Sequence, residues 1–517
     1  MVNHSLLRPL ILLHRYFGVA FCLLFAMWFA SGIVMHFVQF PALSESERVA
    51  GLLPIDLMRV VHSPAEAVAA SKIGDVMRIR LVQRSDGPVY LVSGSSAVKT
   101  LRADDLGDGT VRSTQLAGIL ARIDDTNDAT NDLRNLDAPV AAEIFSDQWT
   151  VAEQYDQHRP LYRVAVEDRA GTEVYVSATT GEVVLKTTRW QRWWNYAGSV
   201  AHWIYPTVLR SHPGLWVSLL WWLAFLAMIG AGLGAVIGTS RLDLTGRRAV
   251  SPYCGWHAWH HWLGLCCMVF VLTWIFSGWL SMDHGQIFST GRPTTTQGRG
   301  IAGDPDWQNL PPDQSQRVVH GAKEVEWFAF DGRIYRRDRL NVAQQQMFLS
   351  EAGPRGEATA RAFLRADEID AAVRRLAQTC ADTFVVKASD DYPAASTMPD
   401  APVFRGKCGA DWFDIDGSNG ALIAQLDQSR RAYHWLYAGL HKLDFSFLTA
   451  RPALRTGLIV VLCGCGFLFS LTGIVIALIL FLLLPKEPVR NQQVGSIKDV
   501  FRSWVSSSVT RSRFSAA

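Results

Sequence analysis

Four long apolar stretches interrupt a chain that is otherwise of mixed polarity, running from about Leu10 to Phe40, Gly214 to Gly238, His257 to Met282 and Leu454 to Leu484. A membrane-crossing helix needs about 20 mostly apolar residues, and each stretch meets that length. The first is too long for the apolar core of a signal peptide and reads as an uncleaved anchor. Between the stretches, 41–213 and 286–453 alternate helix-like and strand-like patterns. Tyr162–Val166, Glu173–Ser177 and Glu182–Leu185 read as strands, with a turn at Thr180-Gly181. Trp412–Ile415, a turn at Gly417–Gly420 and Ala421–Ile423 repeat that motif. Met77–Gln83 and Val89–Ser93 look similar, and 290–315, rich in Gly, Pro, Thr and Gln, reads as a loop. The predicted fold class is a polytopic α-helical membrane protein, with four transmembrane helices in two tandem repeats and two exported α+β domains.

Charge orients it. Arg8 and Arg15 open the first span, Arg241, Arg247 and Arg248 fill the loop 239–256, and Lys486, Arg490, Lys498, Arg502, Arg511 and Arg513 crowd the tail 485–517. All fall on one side, which the positive-inside rule makes the cytoplasm. The long segments are then exported, the second beginning after a third span that reaches 285 with its flank. Cys380 and Cys408, alone in the second exported segment, are expected to form a disulfide. Cys22, Cys254, Cys266, Cys267, Cys463 and Cys465 lie in or beside apolar runs and read as small packing residues. Many of the 19 Trp flank the spans, as indole does at a lipid boundary. A net charge of +3 gives no reason to expect nucleic acid as a partner.

The halves are related. A shift of 246 carries His14 and Gly18 onto His260 and Gly264, and Ser31-Gly32 onto Ser277-Gly278. A shift of 239 carries Gly181, Arg192, His202, Pro213 and Gly234 onto Gly420, Arg431, His441, Pro452 and Gly473. The chain is a tandem duplication with both halves starting on the same side, so a pseudo-twofold axis should run along the membrane normal.

Ten of the 14 His lie in or near the spans: His14, His36, His202, His212, His257, His260, His261, His284, His434 and His441. Polar side chains are costly in lipid, and so many call for a purpose. His pairs on neighbouring helices suit b-type haem, whose iron takes two axial imidazoles. Only His14 with His260, and His202 with His441, survive the repeat, and these four are the expected ligands. His36 falls on Met282, His434 on Asn195, and His284 has no counterpart, so these read as interfacial residues. His257 and His261 are rivals of His260, since residues three and four apart share a helix face. Gly230, Gly234 and Gly238 suit close helix packing or a haem pressed against a smooth face. Hydrolase, nucleotide-binding and dinucleotide-binding motifs are missing, so electrons would come from a quinol or a cytoplasmic reductase.

These residues resemble a family. His14–Gly18, His260–Gly264, Trp28-Phe-Ala-Ser-Gly32, Phe40-Pro41, Tyr433–His441 and Arg451-Pro452 are similar to the PepSY-associated transmembrane proteins of bacteria, including PiuB-like iron-regulated proteins and FoxB-type siderophore reductases. The strand–turn pieces Tyr162–Leu185 and Trp412–Ile423 resemble PepSY modules. The resemblance implies a bacterial inner-membrane protein with periplasmic PepSY-like domains. For the reductase branch it implies two b haems on His14, His202, His260 and His441 and reduction of ferric siderophores at the periplasmic face. The alternative is a membrane-tethered PepSY chaperone or peptidase regulator without redox activity. A metal permease is a third reading, disfavoured by the lack of polar groups in mid-span stretches such as Phe21–Phe29 and Val269–Ile275.

Overall fold

The computed structural model describes residues 4–123, 141–166, 168–243, 250–315, 317–350, 360–376, 380–387, 390–392 and 401–482. Arg247, Arg248, the six basic residues of the tail and the last two residues of the fourth predicted span lie outside the described residues. Among those described, four helices are long and apolar enough to cross a membrane. They are α1 (His4–Phe37), α2 (Pro213–Ser240), α3 (Gly255–Ser281) and α4 (Pro452–Leu482). Pro213 and Pro452 stand at the first position of α2 and α4. Proline is favoured there because its fixed φ suits the helix and no N–H is lost from the ladder. Helix α1 packs on α4 and α2, and α3 on α2 and α4. Small residues allow close approach: buried Cys267 and Cys463 join Phe29 and Val271 in one cluster, and Ala224, Ala227 and Ile275 form another. The buried cysteines therefore act as packing residues.

The long segments between α1 and α2, and between α3 and α4, attach to the same end of the bundle and, among the described residues, carry three antiparallel sheets. The first segment builds β4 (Ala141–Ile144), β5 (Leu161–Ala165), β6 (Glu173–Ser177) and β7 (Val183–Thr187) in sequential order. The second builds β11 (Cys380–Val385), β12 (Val403–Cys408), β13 (Asp411–Asp416) and β14 (Leu422–Leu426) in the same order. Gly181 and Gly420 turn each final hairpin at φ of 72° and 68°, a conformation that side chains resist, which explains why glycine recurs in the repeat. A disulfide joins Cys380 to Cys408 across β11 and β12.

The sequence predicts one α+β domain per exported segment. The structure adds a sheet that both segments build together. Strands β1 (Val76–Arg84), β2 (Gly87–Gly94) and β3 (Val98–Arg102) come from the first segment. Strands β8 (Glu324–Phe330), β9 (Arg333–Arg339) and β10 (Gln345–Leu349) come from the second. Their order is β10-β9-β8-β1-β2-β3, with β1 and β8 pairing at the centre. Arg80 stands opposite Glu326, and these positions are 246 residues apart, the offset that relates His14 to His260. The pseudo-twofold axis therefore passes through this seam.

Charges tie the sheets together. Glu324, 1% exposed, accepts from Arg80 at 2.5 Å, Arg48 at 2.8 Å and Arg339 at 2.9 Å. Arg80 also donates to Glu182, beside the β6–β7 turn, at 2.5 Å. On the other side, Arg78 pairs with Glu326 at 3.2 Å, Arg337 also pairs with Glu326, and Arg337 donates to Ser418 in the β13–β14 turn at 2.6 Å. Burial opposes ionisation of Glu324, but the guanidiniums of Arg48, Arg80 and Arg339 outweigh it and hold the carboxyl well below its ordinary range.

Glu324→Gln should destabilise the extramembrane region by about 2 kcal/mol, because Arg48, Arg80 and Arg339 lose the buried carboxylate they share and keep only Glu45 and Glu182 as counter-charges. With its folded pKa depressed, the Glu324 contribution is complete above the unfolded carboxyl value of about 4.3 and is lost as pH falls towards the folded value. Thermal unfolding followed by tryptophan fluorescence, with wild type and variant compared across pH, checks both.

Candidate functional site

The four His that survive the repeat meet in two pairs. His14 and His260 face each other across α1 and α3, far from the sheets, with ring centres 6.4 Å apart and planes at 43°. His202 and His441 lie on short helical segments leading from β7 and β14 towards α2 and α4. Each segment contains a π-helical turn, Tyr196–Val200 and His434–Gly439. Such turns hold one extra residue and recur at functional sites. Here they precede two imidazoles whose centres are 6.2 Å apart, with planes at 68°. His202 packs beside Ser31 and Gly32. The two centres are thus about 25 Å apart along α1, at its rise of about 1.5 Å per residue.

The same chemistry fixes all four rings. Nδ1 of His14 lies 3.0 Å from the Gly230 carbonyl, and Nδ1 of His260 lies 2.9 Å from Thr472 Oγ1. Nδ1 of His202 reaches Ser31 Oγ at 3.0 Å and the Trp28 carbonyl at 3.1 Å. Nδ1 of His441 reaches Ser277 Oγ at 3.1 Å and the Trp274 carbonyl at 3.2 Å. A carbonyl only accepts, so the proton sits on Nδ1 in His14, His202 and His441. For His260 the Thr472 hydroxyl donates to the Phe469 carbonyl at 2.6 Å, which leaves its oxygen to accept from Nδ1. Every Nε2 then carries a lone pair to which no hydrogen bond runs among the described residues, the arrangement in which a histidine ligates metal.

Glycines give the rings room. A Cβ at Gly234 would come within 2.7 Å of the His14 ring, and one at Gly278 within 3.3 Å of His441. Gly473 and Gly32 stand likewise beside His260 and His202. Burial pushes the His202 imidazole down to about 3 and that of His441 to about 4, so both are neutral at physiological pH.

Each pair has the spacing of two axial ligands on one metal. A metal–imidazole bond of about 2.0 Å, with about 1.1 Å more from nitrogen to ring centre, separates two centres by about 6.2 Å. Among the described residues no group of three or more His, Cys, Asp or Glu converges. A bare zinc ion, which wants four protein or water ligands, is poorly served. A planar macrocycle that brings four equatorial nitrogens needs only the two imidazoles. Beside His14 and His260 all four helices line an apolar cavity of about 400 Å³, with Phe17, Phe21, Gly230 and Ala231 on its walls.

The other His have other duties. His261 donates from Nε2 to the Gly238 carbonyl at 2.9 Å and accepts at Nδ1 from Ser251 at 2.8 Å, so both nitrogens are occupied. It braces α3 against the end of α2. His36 Nε2 meets Thr456 at 2.9 Å and ties α1 to α4. His257 is exposed and lines the cavity without facing a second imidazole. His284 is exposed against Trp221, and the His434 ring contacts those of Tyr392 and Trp435, which also contact each other. Of the oxygen acceptors, Thr472 and Trp274 have no roles assigned by the sequence reading, Gly230 figures in it only as a small residue for helix packing or a haem face, and Trp28 only in the family motif. Ser31 and Ser277 stand out in it as repeat anchors, and Ser31 also as part of the family motif.

The family model described as the PepSY-associated TM region matches residues 11–479. No curated protein matches the chain.

In metal-free protein, ¹⁵N-histidine NMR should find His202 and His441 as neutral Nδ1–H tautomers down to about pH 5, where an ordinary imidazole is charged. An imidazolium signal from either at that pH would contradict the site geometry.

Proposed function

The chain belongs to the family of the PepSY-associated TM region, and from that premise we propose that it is a di-haem b electron-transfer protein of the bacterial inner membrane. It takes electrons from a quinol or a cytoplasmic reductase and reduces ferric siderophores or other ferric chelates at the periplasmic face. The observation that carries this reading is the spacing of the two His pairs, with all four Nδ1 protons committed and all four Nε2 atoms free.

Bound between such a pair, haem supplies an iron that cycles between the ferric and ferrous states. His14 and His260 would hold one haem near the cytoplasm, and His202 and His441 the other near the periplasm. The protein residues orient the imidazoles, keep them neutral and exclude water. Phe29, Phe270 and Trp274 fill the space between the pairs, with ring centres 5.7 to 6.2 Å apart. Placing the basic flanks Arg8, Arg15 and Arg241 in the cytoplasm puts the sheets in the periplasm. Reduction of a ferric chelate there would weaken its bonds to hard oxygen ligands and release the iron.

Dithionite-reduced minus oxidised spectra of the purified protein should show a b-type α-band with two haems per chain. His14→Ala and His202→Ala should each remove about one. Gly234→Ala should empty the cytoplasmic centre and spare the other, since its methyl group displaces the His14 ring. A wild-type protein without haem would sink the reading.

A further inference from the structure

Because the two repeats share one plan, the places where they part indicate direction. The second repeat's two paired His each have an aromatic neighbour whose counterpart in the first repeat is glycine. Phe469 stacks on His260 with ring centres 4.8 Å apart and planes at 26°, and the position 239 residues earlier is Gly230. Tyr437 stacks on His441 at 5.6 Å and 26°, and its counterpart is Gly198. A Cβ at Gly198 would already press on Val34 at 2.9 Å, so the first repeat has no room for a ring there.

The aromatic contacts continue on both sides of His441. Towards the bundle, Trp274 lies 6.5 Å from His441 and Phe270 5.7 Å from Trp274. The counterpart of Phe270 in the first repeat is Leu24. Away from the bundle, Tyr433 lies 5.3 Å from Tyr437, and the Arg430 guanidinium caps Tyr433 at 4.5 Å. All these separations lie in the range of direct ring contact. Electronic coupling decays steeply with distance, and less steeply through packed π-systems than through gaps.

We infer that electrons leave the outer His pair over the second repeat alone, through Tyr437 and Tyr433 to a ferric chelate held beside Arg430. The inference rests on the di-haem reading. In the step an iron held by His202 and His441 would give one electron to the ferric ion of the chelate, the donor being oxidised from ferrous to ferric and the acceptor reduced from ferric to ferrous. No bond is made or broken, no proton moves, and the tyrosines serve as a coupling medium.

The test uses full-length protein in detergent, reduced with dithionite, freed of excess reductant and mixed with ferric EDTA in a stopped-flow instrument. Tyr437→Leu and Tyr433→Leu should each slow reoxidation about tenfold, while Tyr437→Phe, which keeps the ring, stays within about twofold of wild type. Tyr196→Leu, which removes a first-repeat ring packed on Trp149, should not change the rate. Haem content, midpoint potentials and the low-temperature EPR signals of the oxidised centres should be unchanged in all four variants. Wild-type rates in the two leucine variants with two haems bound would overturn the route. So would a slow variant whose potential or EPR signal had moved, since the tyrosine would then be positioning His441. Absence of haem from wild type would instead remove the di-haem reading on which the route depends.

Discussion

An imidazole inside or against a lipid bilayer must satisfy one nitrogen before it can offer the other. The membrane half of this protein is organised around that requirement. Four rings are each held through Nδ1 by a carbonyl or a hydroxyl of a neighbouring element, and each rests beside a glycine of another helix. The serine and threonine acceptors can play this part because their own protons go to the helix carbonyls three or four residues back. Helix packing follows from the same need. Small residues where the rings lie bring α1, α2, α3 and α4 close enough for side chains on one helix to reach oxygens on the next.

The extramembrane sheets serve this arrangement from a distance. His202 and His441 stand on segments that descend from β7 and β14, so their meeting depends on how the two segments sit against each other. The β1–β8 seam sets that relation, and Glu182 and Ser418 carry it outward to the two four-stranded sheets. The regulator reading leaves the repeated His without a task, whereas electron transfer uses all four.

Much of this was legible in the sequence. The spans stood out because twenty consecutive apolar residues have few other uses, and the repeat singled out His14, His202, His260 and His441 from ten candidates. The glycines and serines beside the rings were visible as anchors of the repeat, but their task was not. A glycine conserved between halves reads the same whether it meets a helix or a ring. His261 shows the limit from the other side. It shares a face with His257, and only the position of Gly238 and Ser251 in space shows that its nitrogens are spent. The six-stranded sheet escaped the sequence because β1 and β8 pair residues 242 to 250 positions apart and no local pattern encodes their pairing.

The charges at that seam also bear on how a duplicated gene keeps its halves in order. Arg78 and Arg80 of β1 correspond in the repeat to Glu324 and Glu326 of β8. Across a twofold axis, two identical halves would set four arginines or four glutamates against one another, and neither set could be buried without counter-ions. Opposite signs in the two copies make each half the complement of the other and a poor partner for itself. A first half meeting the first half of a second molecule would bring Arg78 and Arg80 of both central strands together. Opposite signs on two short strands thus favour pairing within one chain over pairing between chains.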